Sequence, residues 1–124
     1  MHNTATDAQT FLIIGAAMEV HRRLHRGFLE SIYCEALAIE FELRRIPFEA
    51  QQGLQMEYKG RTLTGIHRID FVCFDAVVIE VKAMATLTPA NEAQLLNYLA
   101  ISRLKRGLLL NFGGASLEYK RRVL

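Results

Sequence analysis

The stretch HRIDFVCFDAVVIEVKA, residues 67–83, decides the fold. It contains two apolar runs, residues 69–73 and 76–81, with Asp70, Glu80 and Lys82 set at their outer ends. A hairpin centred on Asp75 pairs residues whose numbers add to 150, so Cys73 faces Val77, Phe71 faces Ile79 and Ile69 faces Val81 on one wholly apolar face. A slip of one residue would scatter these side chains over both faces, so the pattern itself selects the register. On the other face Val72 meets Val78, Asp70 meets Glu80 and Arg68 meets Lys82. The Asp70 and Glu80 Cβ atoms then stand about 5 Å apart, and two carboxylates there repel by roughly 3 kcal/mol at an effective dielectric near 20.

Two readings explain that cost. A divalent cation would offset it directly, because hard Mg²⁺ takes carboxylate oxygens and keeps positions for water and a phosphate. Lys82, two residues beyond Glu80, shares the face and would orient a water or stabilise developing phosphate charge. The plainer reading pairs Arg68 with Glu80 and Asp70 with Lys82 diagonally, as on a solvated sheet.

Working outward, Ile13, Ala17, Val20 and Leu24 step at helical spacing and predict a helix over residues 7–25, ended or bent at Gly27. A second helix is expected over 28–45, with Ile32, Ala36, Ile39 and Leu43 on its buried side and RIP closing it. Between residues 48 and 81 the pattern changes to short strands, with LQMEY one of them and KGR a tight turn. Thr88 caps a third helix that has Pro89 at its first position and runs to about 102. GLLLNFGG then reads as a buried strand and LEYKRRV as an edge strand. The order helix, helix, three strands, helix, strand is an α+β, or mixed α/β, arrangement in which the third helix crosses back over the sheet.

At 124 residues the chain suits one domain spanning 1–124, with residues 1–6 flexible. Its net charge of +2 excludes a nucleic-acid coat protein, and the basic clusters HRRLHR, RLKR and KRR suit either phosphate or a solvated face. Cys34 and Cys73 fall in core-like settings that fit a reducing cytoplasm rather than a disulfide framework or zinc knuckle. FLIIGAAM is far short of a membrane span, and Asp7 with no basic leader does not suit a signal peptide. His21 and His25, four apart, lack a third ligand beside them.

GFLESIY has Gly27, Glu30 and Tyr33 in the pattern of the GxxExxY family, and MEYKG, HRIDF, IEVKA, AQLLNYL and GLLLNFG extend the likeness over residues 11–122. That family resembles a compact branch of the PD-(D/E)XK nuclease superfamily, whose aspartate and following Glu-x-Lys match Asp70, Glu80 and Lys82. The resemblance implies a restriction-endonuclease-like core, with Asp70, Glu80 and the Val81 carbonyl holding Mg²⁺ or Mn²⁺ and Lys82 beside the attacking water. QLLNY resembles the Gln-x-x-x-Tyr motif of RecB-type nucleases and implies that Gln94 and Tyr98 position the metal water or a strand. Glu30 would be a third carboxylate, with Tyr33 bracing it. The chain departs from the family at His25, where relatives carry glycine, and at Asn91, where they carry histidine. The function implied is metal-dependent hydrolysis of nucleic acid, DNA ahead of RNA, with a homodimer suited to cutting two strands. A non-catalytic nucleic-acid or protein adaptor on the same fold is the alternative.

Overall fold

A computed structural model describes residues 4–65 and 68–124 of the chain. His67 of the opening stretch, and residues 1–3 of the segment expected to be flexible, lie outside the described residues. The described residues form helices α1 (Thr4–Leu24), α2 (Glu30–Leu43) and α3 (Pro89–Ser102). The strands are β1 (Phe48–Gly53), β2 (Glu57–Tyr58), β3 (Arg61–Thr62), β4 (Arg68–Cys73), β5 (Val77–Lys82), β6 (Arg106–Asn111) and β7 (Glu118–Val123). The main sheet has five strands in the order β1-β4-β5-β6-β7, and β2 with β3 makes a separate two-stranded hairpin. The fold is α+β with a mixed sheet: β5 and β6 run parallel and the other neighbours antiparallel.

The β4–β5 hairpin closes where the apolar pattern requires. The Ala76 N–H donates to the Cys73 carbonyl at 3.0 Å, and Phe74 and Asp75 between them both have positive φ, 58° and 53°. Such turns twist in the same sense as the strands they join. Cys73↔Val77, Val72↔Val78 and Phe71↔Ile79 pair as expected. β7 lies on the outer edge beside β6, and α3 carries the chain from β5 back to its parallel neighbour β6, as the sequence order implies.

Two apolar layers hold the sheet. On one side Phe71, Cys73, Val77, Ile79 and Val81 meet Leu108, Leu110, Phe112 and the α1 residues Ile13, Ala16, Ala17 and Val20. Tyr33, Leu37 and Phe41 of α2 complete that layer. On the other side Val72, Val78 and Leu109 pack against Leu95, Tyr98 and Leu99 of α3. The start of α3 is a capping box in which Thr88 and Asn91 exchange side-chain and backbone hydrogen bonds. Asn91 thus has a local structural role.

The structure corrects four expectations. Ile32, Ile39 and Leu43 of α2 point outward, and the buried stripe is Tyr33, Leu37 and Phe41. Both stripes are apolar at helical spacing, and the one with two large rings fills the core. LQMEY shrinks to a two-residue strand off the main sheet, while the mostly polar FEAQQG is the sheet-edge strand β1. Ile69 joins the α3-side layer rather than the face of Phe71. The first helix begins at Thr4 and ends at Leu24, with His25 at a left-handed φ of 61°. His21 and His25 are therefore not one helix face.

Candidate active site

The site forms where the β4–β5 ladder stops. Beyond Phe71↔Ile79 the expected pairs Asp70–Glu80, Ile69–Val81 and Arg68–Lys82 are absent from the register. Side chains take over the backbone groups instead. The Val81 N–H donates to Asp70 Oδ2 at 2.8 Å, and the Asp70 N–H points to Glu80 Oε1 at 3.4 Å. On the other flank of β4, Ala50↔Phe71 and Gln52↔Ile69 pair while Gln51, opposite Asp70, drops out with φ 56°. The pleat breaks at Asp70, which is why Ile69 and Phe71 face opposite layers. A carboxylate that accepts a hydrogen bond from the next strand's backbone takes the place of a ladder bond, so both strands remain satisfied.

Glu80 is 4% exposed. Burial, and then the neighbouring charge of Asp70, push its carboxyl from the ordinary 4.5 up to about 8. The solvated-face reading of this pair fails on that burial: among the described residues no ion pair joins Arg68 to Glu80 or Asp70 to Lys82. Lys82 instead donates from Nζ to Gln94 Oε1 at 3.2 Å, which ties β5 to α3. Its carbonyl accepts from the Phe112 N–H at 2.8 Å.

Both helical layers reach this point. From α2, the Glu30 carboxyl is raised by burial and by Asp70, against a lowering by Lys82. The Cys34 thiol is pushed up to about 12 by burial and by the charges of Asp70, Glu30 and Glu80. From α3, Tyr98 is raised by burial and by Glu80 and Asp70. Asp70, Glu80, Lys82, Gln94, Glu30 and Tyr98 therefore share one electrostatic neighbourhood. Arg68 is exposed at the start of β4, paired with Gly53.

Tyr33 has a different setting from the carboxylates. Its ring is fully buried and stacked on Phe112 at 4.8 Å. Its hydroxyl donates to the His25 carbonyl at 2.6 Å and accepts from the Phe28 N–H at 3.2 Å. It pins the loop that leads into α2, in which His25 and Gly27 both take positive φ. A glycine at position 25 would take that conformation without a side-chain penalty. The basic clusters are partly self-neutralised: Arg22 and Arg23 bond Glu19, and Lys120 and Arg122 bond Glu92. His21 Nε2 lies 3.0 Å from the Gly114 carbonyl.

Some features escaped the sequence reading. Cys34 borders the carboxylates, with no motif to mark it. Asn111, fully buried, bonds the Met84 N–H, the Met84 carbonyl, the Gly113 N–H and Glu118. Glu118, its carboxyl lowered by the bonds from Asn111 and the Leu87 N–H, also accepts from the Thr86 hydroxyl. The two residues fasten the segment that follows Lys82, and at Gly113 any side chain would strike the Met84 backbone. Asn111 was detectable as the lone polar residue in an apolar strand.

The chain matches the family model of the PD-(D/E)XK nuclease superfamily over residues 7–123, and it belongs to that superfamily. Among solved structures it is similar to one described as the crystal structure of SSO0001, with a TM-score of 0.57 and 13% identity, covering 92% of this chain and 76% of the other. That likeness is one of fold. No curated protein matches the sequence significantly.

For a divalent ion, the donor set is of the right chemistry. Two carboxylates meet at a break in the sheet, one of them buried and driven toward its neutral form by the other, a conflict that a hard cation relieves. Among the described residues no three His, Cys, Asp or Glu side chains converge at metal-binding spacing.

Proposed function

We propose that the protein is a Mg²⁺- or Mn²⁺-dependent nuclease of the GxxExxY type, acting on nucleic acid, with DNA the favoured substrate. The observation that carries this reading is the Asp70–Glu80 pair at a broken ladder, Glu80 buried and Asp70 half-buried, with the Lys82 ammonium fastened beside it by Gln94. Superfamily membership agrees with it.

In this reading Asp70, Glu80 and the Val81 carbonyl would hold the ion, which would supply Lewis acidity and a more acidic bound water, with Glu80 in its carboxylate form. Lys82, oriented by Gln94, directs its N–H donors to the phosphodiester and offsets the charge that grows on it. Glu30 contributes negative charge on the α2 side without joining the ligands, and Tyr98 lines the α3 side. Tyr33 acts at one remove, holding the 25–28 loop that starts α2. Arg68, exposed at the start of β4, contacts substrate phosphate.

No described helix is long and apolar enough to cross a membrane, and Cys34 and Cys73 are free cysteines. A homodimer would use the outward apolar stripe of α2.

The test is cleavage of labelled linear, circular and single-stranded DNA and of RNA in Mg²⁺, Mn²⁺ or EDTA, with Glu80→Gln and Lys82→Ala beside the wild type. Metal-dependent cutting lost in both variants is the expected result. Absence of cutting in the wild type, with no metal binding by calorimetry, would overturn it in favour of the adaptor.

A further inference from the structure

The β2–β3 hairpin joins β1 to β4 yet packs on neither helical layer. The Leu63 N–H donates to the Met56 carbonyl at 2.8 Å, and Glu57↔Thr62 and Tyr58↔Arg61 pair above that. Lys59 and Gly60 form the two-residue tip, both with positive φ, 49° and 78°. Directly opposed residues share a face and neighbours alternate, so Met56, Tyr58, Arg61 and Leu63 lie on one side and Glu57 and Thr62 on the other. The first side is apolar, aromatic and cationic, and it is bare: Tyr58 is 63% exposed, Met56 46% and Leu63 43%. The hairpin's lone acid is on the far side.

Position gives this face a purpose. β1 ends with Gly53 opposite Arg68, two residues before Asp70, so the hairpin is rooted about 7 Å from Asp70 along the strand. It rises from the end of the sheet that carries Asp70, Glu80 and Lys82. A bare two-stranded hairpin gains little stability of its own, so folding does not account for a tyrosine at its tip. The Lys59 ammonium sits 5.5 Å from the Tyr58 ring centroid, and Arg61 stands beside that ring. Among the described residues neither cation has an acidic partner.

The geometry points to the hairpin as a clamp for an unpaired nucleic-acid strand: Tyr58 stacks on a base while Lys59 and Arg61 take the flanking phosphates. This rests on the nuclease reading above and names its substrate as a single strand that runs from the carboxylates across the tip. An exposed aromatic between two cations, with the acid turned away, is the combination by which single strands are held.

The test combines fluorescence anisotropy of labelled single-stranded and duplex oligonucleotides, on the intact chain carrying Lys82→Ala, with steady-state cleavage by the otherwise wild-type chain. The parent is expected to prefer the single strand. Tyr58→Ala should weaken that binding roughly tenfold, and Lys59→Ala with Arg61→Ala should reduce the salt slope of log affinity by about 1.4. KM should rise while kcat holds. A parent that cuts while the hairpin variants bind and cut unchanged would overturn the clamp and leave the nuclease reading intact, as would a duplex preference with Tyr58→Ala silent. A parent that neither binds nor cuts would overturn both. The substituted side chains lie outside both core layers, and circular dichroism checks that the variants fold.

Discussion

Replacing Glu80 by glutamine isolates the cost of its buried carboxylate, because the amide keeps the shape and an oxygen for the Asp70 N–H but cannot ionise. In the folded chain the Glu80 carboxyl holds its proton up to about 8, against the ordinary 4.5. Between those values the native state binds more protons than the unfolded state, so stability must fall as pH rises. At about 1.4 kcal/mol per pH unit the whole interval is worth about 5 kcal/mol, an upper bound because local opening lets the charge reach water. We expect Glu80→Gln to match the wild type near pH 5 and to exceed it by about 2–5 kcal/mol near pH 8.5. Urea denaturation in EDTA, followed by circular dichroism across that range, reads the difference. Carboxyls common to both proteins cancel, and the two thiols, pushed up to about 12, stay protonated throughout. Saturating Mg²⁺ should then close the gap by stabilising the wild type alone, by about 2.7 kcal/mol at a hundredfold excess over Kd. A stability difference that does not vary with pH would refute the reasoning.

Gln94→Leu, which frees the Lys82 ammonium, should lower kcat about tenfold with KM nearly unchanged, the worth of one lost hydrogen bond; single-turnover cleavage measures it. Tyr33→Phe leaves the His25 carbonyl and the Phe28 N–H without their partner and should cost about 1–2 kcal/mol in urea denaturation. His25→Gly relieves a left-handed side chain and should raise stability by up to about 1 kcal/mol by the same assay. Asn111→Leu removes one of the Glu118 hydrogen bonds and strands both Met84 backbone groups and should cost about 2–4 kcal/mol, seen as a lowered Tm.

Asp70, Glu80 and Lys82 stood out as charges at the ends of apolar runs, and the turn and inner pairs of the central hairpin and the cap of α3 were legible because each follows from a local rule, alternation or capping chemistry. The face of α2 was not, since Ile32, Ile39 and Leu43 are as apolar as Tyr33, Leu37 and Phe41 and period alone cannot rank them. What decides is volume, as the Tyr33 and Phe41 rings fill the layer between α1 and β5. β1 was illegible for the converse reason. FEAQQG has almost no apolar side chain to declare a strand, and its pairing with β4 is a backbone affair.

The register error at Ile69 carries the most meaning. Strict alternation holds from Cys73 to Phe71 and from Val77 to Val81, and fails at Asp70, where Gln51 leaves the ladder on one flank and Glu80 leaves it on the other. An ordinary strand gains nothing from such a break, which gives up cross-strand pairing. Here the break turns the Asp70 carboxylate onto the Val81 N–H and toward Glu80, an arrangement an intact ladder would forbid by aiming both acids outward from the sheet. Local rules that agree elsewhere and fail together at one residue mark a place shaped by something other than folding. The site and the fault in the sheet are the same feature, and restoring the ladder at Asp70 would remove the carboxylate geometry on which the proposed chemistry depends.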